Sequence, residues 1–297
     1  MEGHLHTGIV LSYSNLKQYC FPYYLKEERL VDLSSYKAVI LCGGQGTRIR
    51  GVADGIPKPL IDIGGKPILW HIMKTYSFYG IRKFVLCLGY RGNAIIDYFE
   101  NYHTRTHDFV MTVKNREKKK IISAQNADGD VDEWEITFAL TGESTMTGGR
   151  IKRIQKYIGE DLFFATYGDG VSDIDIRALY EFHRNHGSIA TLSGVHLPTT
   201  FGIVESDESG KISSFREKPV LPGRINGGYF VFNSKIFDYI DGDTTVLEDV
   251  PFKRLVRKDE IMMFPWSGFW HCMDTFKDHA DLNRLWNGNK APWKIWA

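Results

Sequence analysis

A glycine-rich loop with two cationic side chains lies in the stretch LCGGQGTRIRGVADGIPKPL, residues 41–60. Glycine lets backbone N–H groups approach a phosphate closely, and successive loop amides form a nest for an anion. Arg48 presents a planar fork for phosphate oxygens, and Lys58, placed between two prolines, presents a compact positive charge. The GxGxxG pattern fails because Ile49 replaces its last glycine, and no Gly-Lys-Ser/Thr completes a P-loop. We therefore predict a phosphate-binding loop of neither type.

Two aspartates are candidate metal ligands. Asp169 follows the apolar run LFFATY, and Asp274 lies in the apolar and aromatic stretch FWHCMDTF. Mg²⁺ takes oxygen ligands, and it is usually held by one or two carboxylates beside substrate phosphates and waters. A turn-forming role for Asp169 remains open, and the residues around Asp274 favour a ligand no more than a structural residue.

The overall composition excludes some classes of partner. The 297 residues carry a net charge of +1, with 43% hydrophobic and 25% charged residues, which is typical of a folded protein with a sizeable core. A charge so near zero creates no general attraction for nucleic acid or for a membrane surface. The apolar runs are too short to span a membrane, and the N-terminus lacks the features of a signal peptide. Four widely spaced cysteines without a CxxC pair indicate a reducing compartment, so we expect a cytoplasmic protein.

Alternating strand and helix patterns begin at Lys37, and these elements must position the candidate residues. Apolar runs typical of strands buried on both faces are KAVILC, KFVLCLGY, LFFATYGDG and SIATLSGV. Helical patterns are PILWHIMKTYSFYG, NAIIDYFENY, RIKRIQKYI and IRALYEFHRNHG. This spacing predicts an α/β fold with a Rossmann-like mixed, mostly parallel sheet flanked by helices. Ligands of such sheets bind at the carboxyl ends of the strands, and the glycine-rich loop follows the first strand.

The segments outside this alternation complete the predicted organisation. Residues 1–36 have no clear period, so we predict an N-terminal appendage at 1–36 and one domain at 37–297. Residues 103–136 are typical of a polar excursion with turns. From residue 201 the short strands FGIVES, KISSFREKP and INGGYFVF predict a β-rich elaboration. Helices near 247–258 and 276–287 predict a helical C-terminus.

The C-terminal stretch WNGNKAPWKIW is unusually aromatic for a chain terminus. Trp286, Trp293 and Trp296 carry a large apolar area that favours either packing within the chain or a contact between subunits. We therefore expect a homo-oligomer.

Five motifs in fixed order carry a family resemblance: AVILCGGQGTR, PKPLIDIGGKPIL, YGDGVSD, FREKP and INGGYFVF. They resemble the motifs of the sugar-phosphate nucleotidyltransferases over residues 37–297. TGESTMTGGRIKR and the long tail GFWHCMDTFKDHADLNRLWNGNKAPWKIW resemble one branch of that superfamily, the glucose-1-phosphate cytidylyltransferases, also called CDP-glucose pyrophosphorylases. The resemblance implies transfer of a cytidylyl group from CTP to glucose 1-phosphate. The products would be CDP-glucose and pyrophosphate, in deoxysugar or surface-polysaccharide biosynthesis.

The resemblance also implies roles for particular residues. Arg48 and Lys58 would be the catalytic cations, and Asp169 and Asp274 would hold one Mg²⁺. The nucleotide would be bound by Leu41, Gly43, Gly44, Gln45, Gly46, Thr47, Arg48, Lys58, Thr145, Arg150 and Gly168. The sugar phosphate would be bound by Glu217, Lys218, Asn226, Gly227 and Gly228.

Structural alternatives stand beside several of these roles. Glu217 and Lys218 are equally typical of a solvated turn, and the glycines of INGGYF are equally typical of a β-bulge. Arg150 would serve as well as a phosphate clamp donated across a subunit interface. At the level of function, one alternative is a nucleotidyltransferase of the same fold that uses another base or sugar 1-phosphate. A second alternative is a non-catalytic subunit that binds sugar nucleotides without turning them over.

Overall fold

The computed structural model of the protein describes residues 31–44, 55–106, 109–111, 119–121, 133–159, 161–199 and 201–296. The strands are β1 (Lys37–Leu41), β2 (Asp62–Ile63), β3 (Lys66–Pro67), β4 (Lys83–Leu88), β5 (Phe109–Met111), β6 (Lys119–Ile121), β7 (Glu135–Leu140), β8 (Phe163–Tyr167), β9 (Gly170–Ser172), β10 (Ala190–Val195), β11 (Ile203–Ser206), β12 (Ile212–Arg216), β13 (Ile225–Phe232), β14 (Ile261–Pro265) and β15 (Trp270–Cys272). The helices are α1 (Ile68–Phe78), α2 (Gly92–Glu100), α3 (Tyr102–Thr106), α4 (Thr147–Arg153), α5 (Gln155–Ile158), α6 (Ile176–His186), α7 (Val250–Val256) and α8 (Phe276–Asn287). Short 3-10 helices cover Lys58–Leu60 and Ser234–Tyr239.

Seven strands form the main sheet, in the order β14-β10-β13-β8-β1-β4-β7. β1 pairs in parallel with β4 on one side and with β8 on the other, and β4 pairs in parallel with β7. β13 runs antiparallel to both of its neighbours, β8 and β10, and β14 pairs in parallel with β10. The predicted mixed, mostly parallel α/β sheet is therefore confirmed.

The central strands are buried because their side chains are apolar without interruption. β1 and β4 are fully buried after their first lysine, and their side chains join those of β8 and β13 in the core, among them Val39, Val85, Phe163 and Phe230. α6 packs against β10 and β14 with one apolar face, and the Asp175 side chain caps its N-terminus by accepting from the Ala178 N–H. Among the described helices, none is both long and apolar enough to cross a membrane.

β7 is an edge strand that the polar composition of residues 103–136 does not predict. Its sequence EITFAL is mostly half-buried, and Leu140 is exposed. An edge strand needs only one hydrogen-bonded neighbour, here β4, so a weakly apolar sequence is sufficient. The three-residue strands β9 and β15 are likewise too short for any periodicity to indicate them.

The described chain is ordered as part of one compact unit from Asp32 onward. Leu33 is only 1% exposed, and the Tyr36 hydroxyl lies 3.0 Å from the Tyr180 hydroxyl of α6. The Tyr36 ring also packs edge-on against Phe164 of β8. Residues 33–36 therefore pack with the domain that we predict to begin at Lys37, whereas residues 1–30 of the predicted appendage lie outside the described residues.

The aromatic C-terminus packs around His71 of α1. Trp286, Trp293 and Trp296 all have ring contacts with the His71 imidazole, and Trp293 is fully buried. The Trp293 indole N–H donates to His71 Nδ1 at 3.3 Å, and His71 Nε2 lies 2.9 Å from the Ile63 carbonyl oxygen. An acceptor at Nδ1 and a donor at Nε2 require the neutral tautomer with its proton on Nε2. The tail thus packs within the chain, as one of the two interpretations of its composition predicts.

Candidate active site

The carboxyl ends of β1 and β8 are adjacent, because these two strands pair in parallel. Gly43 and Gly44 follow β1, and Gly168 and Asp169 follow β8. The two loop starts are joined by a hydrogen bond from the Gly168 N–H to the Leu41 carbonyl oxygen at 3.1 Å. A side chain at Gly168 would lie 3.0 Å from that same oxygen, so the close approach favours glycine. This edge is where open α/β sheets bind ligands.

Asp274 reaches this edge through the short antiparallel pair of β9 and β15. Cys272 lies opposite Gly170 in this pair, so Asp169, before β9, and Asp274, after β15, come together. The Met273 N–H donates to the Asp169 carbonyl oxygen at 2.8 Å and extends the pairing by one step. Asp274 also directly precedes Thr275, the N-cap of α8, and the first turn of this helix is fixed by a capping box between Thr275 and Asp278.

The Lys58 ammonium lies between the two carboxylates. Its Nζ is 2.7 Å from Asp169 Oδ2 and 2.6 Å from Asp274 Oδ1, and the lysine side chain is only 16% exposed. Burial alone would lower the pKa of Lys58, but the charge of Asp169 and hydrogen bonds to both aspartates outweigh it and raise the pKa. Lys58 therefore carries a full positive charge at neutral pH. Pro57 precedes the 3-10 helix that starts at Lys58 and fixes its backbone.

The same carboxylates form a group of metal-ligand atoms with a thiol. Within the described part of the chain, Asp169, Cys272 and Asp274 each offer one ligand atom, and these atoms lie within 4.8 Å of one another. An ammonium group already fits between the two carboxylates, so the space and the charge suit a small cation. Two carboxylates and one lysine leave one net negative charge, which is an additional attraction for a divalent ion.

The Arg150 side chain packs against the start of the glycine-rich loop that follows β1. Its guanidinium donates to the carbonyl oxygens of Leu88, Gly142 and Glu143 and to the Thr141 hydroxyl, and the residue is 2% exposed. A Cβ built on Gly43 would lie 2.1 Å from the Arg150 guanidinium carbon, so the loop backbone rests directly on this side chain. Thr145 is buried as well, at 7% exposure. The donors of Arg150 are buried and engaged within its own chain, which favours a role inside this site over a clamp donated across a subunit interface.

Asn226, Gly227 and Gly228 lie beside Tyr167, the last residue of β8. Asn226 Nδ2 donates to the Tyr167 hydroxyl at 3.3 Å, and its Oδ1 accepts from the Gly228 N–H at 2.9 Å. Gly228 has φ +76°, and a side chain there would collide with the Tyr167 ring. The β10–β13 register shifts at this point, so the bulge suggested by the glycines is present. This segment therefore stands next to the loop that carries Asp169.

Glu217 and Lys218 follow β12 and are exposed. Their charged groups are 3.6 Å apart, and the side chains are 62% and 58% exposed. Lys218 has a left-handed backbone, with φ 45°. Their geometry is that of a solvated turn, and the Glu217 carboxylate lies close to Gly202 at the base of the hairpin formed by β11 and β12.

Some residues of the site are not indicated by any sequence pattern. The Tyr167 hydroxyl donates to Glu248, whose other oxygen accepts from the Thr147 hydroxyl at 2.8 Å. The Trp270 indole N–H donates to the Gly227 carbonyl oxygen at 2.6 Å. Cys272 joins the carboxylates, as described above. The only available signal was proximity in sequence, of Cys272 to Asp274 and of Tyr167 to Asp169.

Part of the predicted loop is not covered by these contacts. The predicted nucleotide-binding residues Gln45, Gly46, Thr47 and Arg48 lie outside the described residues. Gly44 is described, and a Cβ built on it would meet no atom of the described residues within 4 Å. The role of Arg48 as a catalytic cation stays a prediction.

Comparison with known proteins identifies the family. Residues 37–283 match the nucleotidyl transferase family. The glucose-1-phosphate cytidylyltransferases of Salmonella typhi and Salmonella typhimurium are each 45% identical over 262 residues, which cover 88% of this chain and 99% of theirs. Among solved structures, HddC from Yersinia pseudotuberculosis complexed with GMP-PN has a TM-score of 0.60 and 25% identity, over 84% of this chain and 99% of that one. The chain therefore belongs to the nucleotidyl transferase family, on the branch of the glucose-1-phosphate cytidylyltransferases.

Proposed function

We propose that this protein transfers a cytidylyl group from CTP to glucose 1-phosphate and releases pyrophosphate. The observation that supports this most directly is the contact of Lys58 with Asp169 and Asp274 at the carboxyl edge of β1 and β8, beside a glycine-rich loop. The similarity to glucose-1-phosphate cytidylyltransferases supports the choice of substrates. The product, CDP-glucose, would serve deoxysugar or surface-polysaccharide biosynthesis.

The reaction is an in-line displacement at phosphorus. A phosphate oxygen of glucose 1-phosphate forms a bond to the α-phosphorus of CTP, and the bond from that phosphorus to the pyrophosphate oxygen breaks. Both substrates are anions, so charge repulsion and positioning dominate the barrier. Lys58, held charged by its carboxylate partners, supplies one positive charge at this edge of the sheet. Arg48 is proposed to supply the second.

Asp169 and Asp274 are proposed to hold one Mg²⁺, since members of this family generally use a divalent metal. When bound, such an ion neutralises phosphate charge and stabilises the charge that develops on the leaving group. The chain positions these carboxylates through the β9–β15 pair and the capping box of α8. The Lys58 ammonium lies between the two carboxylates and offsets part of their mutual repulsion.

The sugar is proposed to bind on the side of Asn226 and the bulge at Gly227 and Gly228. The bulge lets backbone groups approach a hexose closely, and Tyr167 fixes the Asn226 amide. Glu217 and Lys218 lie on the turn after β12, and their exposed groups are available to sugar hydroxyls and to the sugar phosphate. Thr145 and Arg150 are proposed to bind the nucleotide, and the Arg150 guanidinium lies directly against Gly43 of the glycine-rich loop.

We also propose a cytoplasmic homo-oligomer. The tryptophans of the tail pack within the chain, so another surface must form the contact. The hairpin of β11 and β12 carries the exposed apolar side chains Val204, Ile212 and Phe215, together with Phe201 just before it. Exposed apolar patches of this kind mark contact surfaces. Size-exclusion chromatography with light scattering tests this, and a monomer at micromolar concentration contradicts it.

A substrate matrix tests the function. Five nucleoside triphosphates are combined with several sugar 1-phosphates and Mg²⁺, and pyrophosphate release is measured. We expect CTP with glucose 1-phosphate to be the best pair. A clear preference for UTP or dTTP would move the protein to another branch of the same family. Sugar-nucleotide binding without pyrophosphate release in any combination would support the non-catalytic subunit instead.

A further inference from the structure

We propose that Cys272 makes the metal site selective for thiophilic ions, so that Cd²⁺ and Zn²⁺ bind there in preference to Mg²⁺ and inhibit the enzyme. The inference rests on the proposed function, because two of the three ligands are the carboxylates assigned to Mg²⁺. The inference goes beyond that function because it assigns a third ligand, a thiol, to the site and predicts that the site binds ions other than Mg²⁺.

The position of the thiol is set by the backbone. Cys272 ends β15 directly opposite Gly170, the residue after Asp169, and stands two residues before Asp274. Its Sγ is 3.5 Å from Asp274 Oδ2, and one ligand atom of each of the three residues lies within 4.8 Å of the other two. A single ion can therefore reach the sulfur and both carboxylates with small side-chain rotations.

The chemistry of the three ligands separates the metals. Mg²⁺ takes oxygen ligands and gains nothing from a sulfur atom. Zn²⁺ binds thiolate and carboxylate together, and soft thiolate ligands favour ions of this kind. On binding, a metal–sulfur bond replaces the S–H bond, and the proton passes to the buffer. The added negative ligand also favours a thiophilic ion over the Lys58 ammonium, which occupies the space between the carboxylates.

The other thiols of the described chain do not share this environment. Cys42, which follows β1, and Cys87, within β4, are only 3% and 0% exposed. Cys272 is half-buried and faces the carboxylates. Cys20→Ser removes a thiol that is distant in sequence and serves as the matched control.

The test is a Cd²⁺ titration of the substrate-free full-length protein, followed by the ultraviolet charge-transfer band of sulfur-bound cadmium. We expect the band in the wild-type protein and in Cys20→Ser, and its loss in Cys272→Ser. Asp274→Asn should keep the thiol but weaken Cd²⁺ affinity at least tenfold, since even outer partners of metal ligands contribute roughly 10–100-fold. In the pyrophosphate assay with Mg²⁺, Zn²⁺ should inhibit Cys272→Ser only at concentrations about tenfold higher than the wild type needs.

Two results would overturn the inference: a band that persists in Cys272→Ser, or a Cd²⁺ affinity that Asp274→Asn does not change. Circular dichroism of each variant shows whether the fold is retained, and Cys272→Ala provides a second thiol-free variant if serine disturbs it. The binding titration needs no substrate. A cadmium band without pyrophosphate release would therefore contradict the proposed function alone, and activity without a Cys272-dependent band would contradict this inference alone.

Discussion

Asn283 of α8 accepts a hydrogen bond from the Gly64 backbone N–H at 2.9 Å, and this contact joins the two halves of the candidate site. Gly64 lies in the β2–β3 turn shortly after Lys58, whereas Asp274 lies two residues before the start of α8. His279 of the same helix contacts the Asp62 carbonyl oxygen at 2.9 Å. The helix therefore braces the segment that carries Lys58 against the segment that carries Asp274.

Asn283→Ala should weaken this brace. The Gly64 N–H loses its part-buried acceptor, which costs about 0.5–1.5 kcal/mol of unfolding free energy. We expect turnover to fall about tenfold, since a displacement of about 1 Å at a reacting group can cost roughly 100-fold. Urea denaturation and the pyrophosphate assay measure the two effects. Asn283→Asp keeps the acceptor and should recover most of both losses. Lys277→Ala, on the exposed face of the same helix, is the control.

Asp169→Asn should lower turnover at least ~100-fold, since stabilisation of phosphate charge by a metal ion is worth several kcal/mol and about 1.4 kcal/mol is a factor of ten. Stability should change by less than about 1 kcal/mol, because Lys58 keeps its contact with Asp274 and the ion pair is partly exposed.

Arg48→Ala should reduce turnover more than CTP affinity. Glu208→Gln, an exposed carboxylate on the β11–β12 turn, is the control. Near-normal turnover of both site variants at saturating Mg²⁺ would show that the catalytic centre lies elsewhere.

Gly43→Ala and Gly44→Ala should separate stability from substrate binding. A methyl group at Gly43 collides with the Arg150 guanidinium, which its four acceptors hold in place, so we expect a loss of about 1–3 kcal/mol. A methyl group at Gly44 meets no atom of the described residues within 4 Å and should leave stability unchanged. Because Gly44 belongs to the proposed nucleotide-binding loop, we expect Gly44→Ala to weaken CTP binding. Thermal unfolding and CTP titration distinguish the two, and equal losses of stability would contradict the packing of Gly43 on Arg150.

The protein should lose stability between about pH 6.5 and pH 4 through His71. Burial lowers the pKa of His71 to about 4 from its usual 6.5, with a further contribution from the positive charge of Lys66. The unfolded chain therefore binds the proton first as the pH falls, so stability is full above pH 6.5 and decreases below it. The expected loss by pH 4 is roughly 3 kcal/mol, from about 1.4 kcal/mol for each pKa unit.

Urea denaturation at several pH values checks this linkage. His71→Gln should show a shallower decline of unfolding free energy than the wild type, whatever its stability at pH 7. Burial also lowers the pKa of His183 to about 4, so this residue contributes to the loss of stability over the same pH range. His183→Gln and the double variant show how much of that loss comes from each histidine. An unchanged slope in His71→Gln would mean that the histidine is already charged or solvated in the folded protein.

The sequence by itself determined the local parts of this protein. Uninterrupted apolar runs such as KAVIL can only be buried on both faces, and their alternation with helices requires a parallel α/β sheet. The glycine-rich loop after β1 and Asp169 after β8 follow from chain connectivity, because both stand at the carboxyl end of a predicted strand. Pro57 and Pro59 restrict the backbone at Lys58 without reference to any other part of the chain.

The tertiary structure decided which residues, distant in sequence, contact these local segments. Asp274 joins Asp169 only because the three-residue strands β9 and β15 pair, and Arg150 lies beneath Gly43 only because α4 packs there. The edge strand β7 and the neutral tautomer of His71 likewise depend on neighbours distant in sequence. Such contacts are stabilised by packing summed over the whole domain, whereas the residues concerned have weak local preferences. Short polar or mixed segments therefore carry little information about their partners until the apolar core has brought them together.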